Sequence, residues 1–348
     1  MSDAQTNNNT TAFDIMESSL RNNLPDFLEA FRTTPLGTVY ECAVVHALRD
    51  LGLISAQGQF NEEDRTASLV GHLGSHLSWY LAISDLSGRN TTQPSVSWAY
   101  QSKKAEAEKG GDFGLAVRLA DDVYNIAFFQ AKKADLSKVI NVWRAPHGYE
   151  TPKEGVTAEQ VKSNKIDADT ELANAIQGSV SMQSGKGQHQ FVKLAVLAQN
   201  AKDVSSDGSW IHYAVWPEDS SQGPISFSFP AMQKILQGWN ITKGKALNVS
   251  TENQKKAEAL AALLMRGDKC NSSGWLTVDK KRAQNIVGNL TELCNILVIV
   301  EDRQSGGGLV DDLKNQKFDF IEHNRPIEGV TELEPQAKPA TTNSLTRI

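Results

Sequence analysis

The sequence predicts an α/β protein in which a mixed central sheet is flanked by helices, and three observations predict it. Apolar residues recur at helical spacing in four segments: 39–51, 61–83, 251–265 and 279–294. Residues 110–134 hold two apolar runs joined by a pair of aspartates, which is typical of a β-hairpin whose second strand is buried. The last of the four helices leads directly into an apolar run, Ile296–Val300, which predicts another buried strand.

The sequence also predicts how the chain is organised along its length. Residues 1–12 are rich in Asn and Thr, and residues 331–348 have no periodicity, so we expect both ends to be disordered. A helical N-terminal section opens a core domain over 13–220, in which 144–187 indicates a loop-rich insertion that could hold a helix over 170–176. Residues 221–330 have an α/β pattern and predict a C-terminal lobe that carries specificity or a partner surface.

Composition limits the classes of function. The chain is 40% hydrophobic and 22% charged, which is ordinary for a globular protein and excludes a collagen-like or fully disordered chain. Its cysteines, Cys42, Cys270 and Cys294, are widely spaced and odd in number, so they indicate neither a zinc ribbon nor a disulfide framework. A reducing, cytoplasmic compartment fits them best. The apolar run 296–300 is far shorter than the roughly 20 residues that cross a bilayer, so no membrane partner is expected.

The net charge constrains how the chain could bind nucleic acid. Its formal value is −6, whereas proteins that bind nucleic acid mainly through nonspecific charge are usually basic. Binding would therefore depend on a local basic patch rather than on the whole surface.

The residues best suited to chemistry lie in the predicted hairpin. Asp112 stands at the start of its first strand, and Gln130-Ala131-Lys132 at the end of its second. These two ends lie side by side in an antiparallel hairpin, so Asp112 and Gln130 are brought together, and Lys132 shares the face of Gln130. The carboxylate, the glutamine oxygen and the Ala131 carbonyl are oxygen donors of the kind that Mg²⁺ prefers. Lys132 could orient or deprotonate an attacking water, or neutralise charge on a phosphate.

The strings GGDFGL and FFQAKKA resemble the PD-(D/E)xK, restriction-endonuclease-like nuclease superfamily. The closest resemblance is to its Mrr-like and Cap4-like branches, in which glutamine replaces the usual acid. The resemblance implies a restriction-endonuclease-like sheet over about 61–216 and an endonuclease that hydrolyses DNA with Mg²⁺ or Mn²⁺. It further implies a role in restriction or antiphage defence. Asp112 matches the metal-binding aspartate of the family, Gln130 its second motif position and Lys132 its catalytic lysine.

The family also uses a glutamate on the helix that precedes the first strand. Two residues are candidates, Glu63 and Glu41, and Glu63 is favoured because it opens the nearer helix in an E-x-x-T-x-x-L string. By resemblance, the catalytic residues are then Asp112, Gln130, Lys132 and Glu63. By the same resemblance, the metal ligands are Asp112, Gln130, Ala131 and Glu63.

The resemblance also implies partners. Lys133, Lys103 and Lys104 are basic residues near the hairpin and are expected to contact the nucleic-acid backbone. DNA is the expected substrate, and RNA stays open because the sequence does not distinguish the two. Cutting both strands of a duplex favours a homodimer. The sequence shows no helicase or sensor motif, so a partner subunit such as a helicase, an ATPase or a sensor would supply activation.

Two alternatives to an active nuclease stay open. The chain could be a catalytically degenerate nucleic-acid-binding or scaffold subunit of a defence complex. In a purely structural interpretation, Asp112 caps a turn and Lys132 and Lys133 form a solvated strand end that blocks edge pairing.

A histidine pair offers a second candidate for metal binding. His72 and His76 are four residues apart, so a helix would place them on one face. The string HLGSH lacks the glutamate of H-E-x-x-H and shows no third ligand. The sequence therefore favours histidines at the surface or the edge of the core over a metal site.

Overall fold

The computed structural model describes most of the chain between Thr38 and Glu322. The described ranges are 38–57, 60–86, 94–100, 112–120, 122–142, 158–180, 189–202, 207–218, 223–238, 248–252, 254–291, 294, 296–302, 308–313 and 320–322. The two ends predicted to be disordered lie outside these residues, and so do Lys103 and Lys104.

The element order alternates helices and strands through the described chain. The helices are α1 (Val39–Gln57), α2 (Glu62–Leu86), α3 (Ala158–Ile176), α4 (Gln190–Asn200), α5 (Phe229–Leu236), α6 (Leu260–Leu264), α7 (Lys280–Thr291) and α8 (Leu309–Leu313). The strands are β1 (Pro94–Tyr100), β2 (Phe113–Ala120), β3 (Val123–Lys133), β4 (Val139–Asn141), β5 (Ile211–Trp216), β6 (Ile225–Ser228), β7 (Asn248–Ser250), β8 (Ala257–Ala259), β9 (Leu276–Asp279), β10 (Ile296–Asp302) and β11 (Phe320–Glu322).

Most strands form one mixed sheet, which confirms the predicted class of a mixed sheet flanked by helices. The order along the sheet is β11-β1-β10-β2-β3-β5-β6-β8, and β9 pairs with β3. The pairs β2–β3 and β5–β6 are antiparallel, whereas β10–β2 and β3–β5 are parallel. Strands β4 and β7 form a separate antiparallel pair.

The predicted hairpin is present and sits in the middle of the sheet. Its register pairs Phe113 with Phe129, and it closes at Ala120 and Val123. The turn residue Asp122 has a φ of 58°, a left-handed conformation that aspartate tolerates better than most residues. This register fixes the open end of the hairpin, where Asp112 and Gln130 stand.

Both faces of the sheet are buried, which explains the nearly continuous apolar sequence of β3. Phe129 and Ala131 contribute to a core with α1, α2 and α6. Ile126 and Phe128 point to the opposite face, into a core with α3, α4, α5 and α7. Gln130 and Lys132 follow Ile126 and Phe128 at intervals of two residues, so the side chains of all four leave β3 on the same face.

The C-terminal strands complete this sheet. Strand β10 lies between β1 and β2, β9 pairs with β3, and β8 extends the sheet beyond β6. The described sheet therefore includes strands from both sides of the domain boundary that the sequence predicts at residue 220.

Two segments differ from the secondary structure that the sequence predicts. Within the segment 144–187, the helix expected over 170–176 is present but begins earlier, as the 19-residue helix α3, whose buried residues Ala168, Leu172 and Ile176 recur at helical spacing among charged ones. The helix predicted over 251–265 is wrong in its first part, because residues 257–259 pair with β6. The amide and the hydroxyl of Thr251 likewise hydrogen-bond to a carbonyl outside any helix. Only α6 remains of that helix.

The predicted start of α2 is confirmed. Asn61 Oδ1 accepts a hydrogen bond from the Asp64 amide at 2.7 Å, and the Asn61 amide donates to Asp64 Oδ2 at 3.4 Å. This reciprocal cap, together with three acids in the first turn, stabilises the helix at its positive end. Within the described part of the chain, no helix combines the length and the apolar character that crossing a membrane requires.

Candidate active site

The open end of the hairpin brings Asp112 to the end of β3, as the sequence predicts. The Asp112 amide donates to the Phe129 carbonyl at 3.0 Å, which fixes the residue opposite β3. Its Oδ2 atom accepts from Gln130 Nε2 at 2.5 Å and from the Ala131 amide at 2.7 Å. The carboxylate is therefore aimed across the hairpin at the Q-A-K segment by two hydrogen bonds.

The Gln130 side chain is fully buried, and its two polar atoms differ in their contacts. Nε2 donates to Asp112 Oδ2 and also to the Ala131 carbonyl at 3.0 Å. Oε1 has no hydrogen-bond partner among the described residues. A buried acceptor without a partner is costly, so this oxygen is expected to have a partner that the described residues do not supply.

A second buried polar atom without a described partner lies on the neighbouring strand. Tyr213 pairs in register with Gln130 between the parallel strands β3 and β5, so the two side chains share a face. The Tyr213 hydroxyl is buried and has no hydrogen-bond partner in the described chain. Burial also raises the pKa of this hydroxyl, which therefore stays protonated and can donate a hydrogen bond.

Lys132 lies two residues beyond Gln130 on β3 and is paired with a glutamate from α2. Only 8% of the Lys132 residue is exposed, and its Nζ atom lies 3.8 Å from Glu62 Oε1. The other oxygen of Glu62 accepts a hydrogen bond from the Lys133 amide at 2.9 Å. Glu62 thus joins the first turn of α2 to the end of β3 and holds the Lys132 ammonium in place.

Four groups therefore lie where β2 begins and β3 ends: the Asp112 carboxylate, the buried Gln130 amide, the Ala131 carbonyl and the Lys132 ammonium. No protein-family model, curated protein or solved structure matches this chain. In the structure, Gln130 Nε2 lies between Asp112 Oδ2 and the Ala131 carbonyl; turning the amide by about 180° would replace it with the unpartnered Oε1 and give three oxygen donors of the kind that suits Mg²⁺.

The structure brings Glu62, rather than either predicted glutamate, to Lys132. Glu63 is exposed on α2. Glu41 is buried and lies in an ion pair with Lys269 at 2.8 Å, on the first turn of α1. The helical pattern contains a signal for Glu62, because it stands three and four residues before the buried Arg65 and Thr66. For Glu63 the same two positions are the buried Thr66 and the exposed Ala67, so its signal is weaker.

The start of α2 is fixed to the end of β5 by further contacts. Thr66 Oγ1 accepts a hydrogen bond from the buried Trp216 indole at 3.1 Å. The Arg65 guanidinium donates to the Pro217 carbonyl, and burial lowers the pKa of this arginine. These contacts hold the first turn of α2 against the sheet, so Glu62 stands on a rigid support.

Lys133, which the sequence predicts to contact nucleic acid, is already paired. Its Nζ atom lies 2.7 Å from Glu218 Oε2, and both side chains are about one-third exposed, at 32% and 28%. An exposed pair of this kind contributes little to stability, so a phosphate can compete for the lysine. Lys103 and Lys104, the other predicted contacts, lie outside the described residues.

Proposed function

We propose that this protein is a Mg²⁺- or Mn²⁺-dependent endonuclease that hydrolyses DNA phosphodiester bonds and has a restriction-endonuclease-like fold. The observation that carries the proposal is the meeting of Asp112 Oδ2 and the Ala131 carbonyl at the Gln130 amide group, whose own oxygen has no described partner, with Lys132 two residues further along β3. The resemblance to PD-(D/E)xK nucleases supports it, because these residues stand at the positions of that motif.

Asp112, Gln130 and Ala131 are the residues that would hold the metal ion. A bound ion would supply Lewis acidity at the phosphate and help activate the attacking water. The Ala131 amide keeps the Asp112 carboxylate aimed at the site even when the Gln130 side chain turns. Gln130 can turn readily, because the last torsion of a glutamine side chain has only broad, shallow preferences.

Lys132 acts on the water or on the scissile phosphate. An ammonium that is largely shielded from solvent stabilises developing negative charge more strongly than an exposed one. Glu62 is a positioning residue for this lysine, since one of its oxygens faces the ammonium and the other is held by the Lys133 amide. In this proposal Glu62 positions Lys132, and the exposed Glu63 is not a metal ligand.

The wider proposal concerns the setting of this activity. The net charge of −6 disfavours nonspecific binding, so we propose that Lys103, Lys104 and Lys133 supply a local patch for the backbone. A homodimer would cut both strands, and a helicase, ATPase or sensor subunit would activate it in the cytoplasm for restriction or antiphage defence. RNA is the second substrate to be tested.

Cleavage assays with matched variants test the proposal. Wild-type protein is incubated with plasmid DNA, linear DNA and single-stranded RNA, with Mg²⁺, with Mn²⁺ and with chelator. We expect metal-dependent cleavage of DNA, a loss of at least about 100-fold in Asp112→Asn and Lys132→Ala, and full activity in the surface control Glu63→Gln.

The outcome that contradicts the proposal is specific. If wild-type protein cleaves nothing with either metal but binds DNA, and Asp112→Asn binds DNA equally well, the chain is a catalytically degenerate binding subunit. Cleavage that persists unchanged in both Asp112→Asn and Lys132→Ala places the chemistry elsewhere.

A further inference from the structure

Helices α1 and α2 hold a second cluster of ligand side chains, away from the candidate active site. His46 contacts Tyr80, and Asp50, one turn later on α1, contacts His76, one turn earlier on α2, so the helices run antiparallel. His76 lies 14 residues beyond Glu62 on α2, which is about 21 Å along a helix. This cluster is therefore separate from the residues assigned to the nuclease proposal, and the inference does not rest on that proposal.

The cluster presents three ligand atoms to one point. Asp50 Oδ2 lies 2.9 Å from His76 Nε2 and 3.7 Å from His46 Nε2. The two imidazole rings are stacked, with centroids 3.9 Å apart and planes 6° from parallel. The three ligand atoms all lie within 4.8 Å of one another.

These separations are close to those of a tetrahedral zinc site. Zinc binds histidine nitrogen and carboxylate oxygen at about 2.0–2.2 Å, which places neighbouring ligand atoms about 3.3–3.5 Å apart. The two distances from Asp50 to the histidines, 2.9 and 3.7 Å, lie on either side of this value. Because a metal ion lies in the plane of each imidazole that binds it, the two stacked rings would have to tilt apart before both Nε2 atoms could bind one ion.

Other groups hold the ligands in these orientations. The Tyr80 hydroxyl lies 3.2 Å from His46 Nδ1, which leaves Nε2 of that ring for a ligand role. The Arg49 guanidinium donates to Asp50 Oδ1 at 3.3 Å, which leaves Oδ2 to face the histidines. Metal-binding histidines and carboxylates commonly have such supporting contacts on their other polar atom.

The surroundings also suit a metal ion. The side chains of His46, Asp50 and His76 are 23%, 22% and 14% exposed, so an ion can enter and keep a water ligand. His72, the partner of His76 in the sequence pattern, is instead engaged by Ser68, whose carbonyl lies 2.8 Å from its Nδ1 atom.

We propose that His46, Asp50 and His76 bind a divalent transition-metal ion of the zinc class, with water at the remaining position, and that the ion fastens α1 to α2. Two imidazole nitrogens favour such an ion over Mg²⁺, which prefers an all-oxygen site. The site is structural, because it lies between two packed helices and far from Lys132.

Metal titration of the full chain tests the site. Chelator-treated protein is titrated with ZnCl₂ by calorimetry and with CoCl₂ by visible absorption, in the presence of excess Mg²⁺. We expect one Zn²⁺ per chain, four-coordinate Co²⁺ bands, and a loss of more than about 100-fold in affinity in His46→Gln, Asp50→Asn and His76→Gln. Tyr80→Phe, which removes a supporting contact, should lose about tenfold.

Two controls separate this site from other histidines and from the candidate active site. His72→Gln and Asp112→Asn should bind Zn²⁺ as wild type does. X-ray absorption of zinc-loaded wild-type protein should show two imidazole ligands, a result that does not depend on whether any variant folds. Absence of zinc binding by wild type, fewer than two imidazoles on the ion, or an equal loss in His72→Gln would each overturn the proposal.

Discussion

Glu62 Oε2 accepts the backbone amide of Lys133 at 2.9 Å, and this hydrogen bond joins the first turn of α2 to the end of the central strand β3. The same carboxylate reaches the Lys132 ammonium through its other oxygen. One side chain therefore sets both the position of the helix and the position of the lysine. Glu62 is not among the site residues that the sequence predicts, and this hydrogen bond is the contact that places it at the end of β3.

Replacing Glu62 should destabilise the fold, whereas replacing its neighbour should not. Glu62→Ala removes the acceptor of the Lys133 amide and leaves the largely buried Lys132 ammonium without this carboxylate, so we expect a loss of about 1–2 kcal/mol. Glu63→Ala is the matched control, because both acids stand in the first turn of α2 and only Glu63 is exposed. We expect it to change stability by less than about 0.5 kcal/mol in urea unfolding. Equal effects of the two substitutions would contradict the placement of Glu62.

A change at Gln130 should make stability depend on metal. Gln130→Glu places a second carboxylate against Asp112, and the two repel unless a proton or a cation lies between them. Without divalent ions we expect a lower melting temperature than wild type, and with Mg²⁺ or Mn²⁺ a larger rise than wild type shows. Thermal unfolding with and without each ion measures both effects.

The control for this prediction is Gln130→Met, which has a similar shape and no oxygen. The substitution also removes the Nε2 donor to Asp112 and to the Ala131 carbonyl, so we expect a loss of about 1–2 kcal/mol with or without metal, and metal binding should be lost. A rise with metal that is the same in Gln130→Glu, Gln130→Met and wild type would show that the ion binds elsewhere.

The pair of Glu41 and Lys269 should respond asymmetrically to mutation. Lys269→Met leaves a carboxylate that is only 2% exposed without its ammonium partner, so we expect a loss of about 2 kcal/mol. Glu41→Gln leaves an ammonium that is 54% exposed and can be hydrated, so its cost should be smaller. Chemical unfolding of both variants measures the difference, and a larger loss in Glu41→Gln would contradict it.

The buried His212 should make the protein less stable in acid. Burial lowers its pKa to about 4, with its ring hydrogen-bonded to the Gly274 carbonyl at 2.8 Å and Arg266 as a nearby charge. Between about pH 6.5 and 4 the unfolded chain therefore binds a proton that the folded chain does not, and stability falls as pH falls.

Comparison with a variant that cannot titrate isolates this effect. His212→Gln keeps an N–H group for the Gly274 carbonyl, so between pH 7 and 5 wild type should lose about 2 kcal/mol more stability than the variant. Urea unfolding at the two pH values measures the difference. Parallel losses in the two proteins would show that His212 does not carry this pH dependence.

The hairpin and its cluster could be predicted from the sequence because local pattern determines them. Alternating apolar residues set the two strands, and the spacing between Asp112 and Gln130 then fixes that the two residues meet. The choice between Glu62 and Glu63 depends on the face of α2, which residues such as Thr66 and Trp216 determine through a contact 150 residues apart. Neighbouring residues of a helix point about 100° apart, so choosing Glu63 instead of Glu62 places the carboxylate on a different side of α2.

Other features depend on contacts between distant segments. His76 meets His46 and Asp50 from the other helix, a contact that the spacing of His72 and His76 along one helix could not indicate. The apolar spacing of 251–265 predicted one helix, but the pairing of β8 with β6 takes part of that segment into the sheet. Likewise, no local signal places β10 between β1 and β2.

Counting the Mn²⁺ ions bound to the full chain by electron paramagnetic resonance tests the central claim most directly. The measurement uses a His76→Gln background, which removes the second proposed site. One bound Mn²⁺ per chain, displaced by Mg²⁺ and lost in Asp112→Asn, is the result that a metal site at Asp112, Gln130 and Ala131 predicts. No bound Mn²⁺, or the same binding in Asp112→Asn, would contradict it.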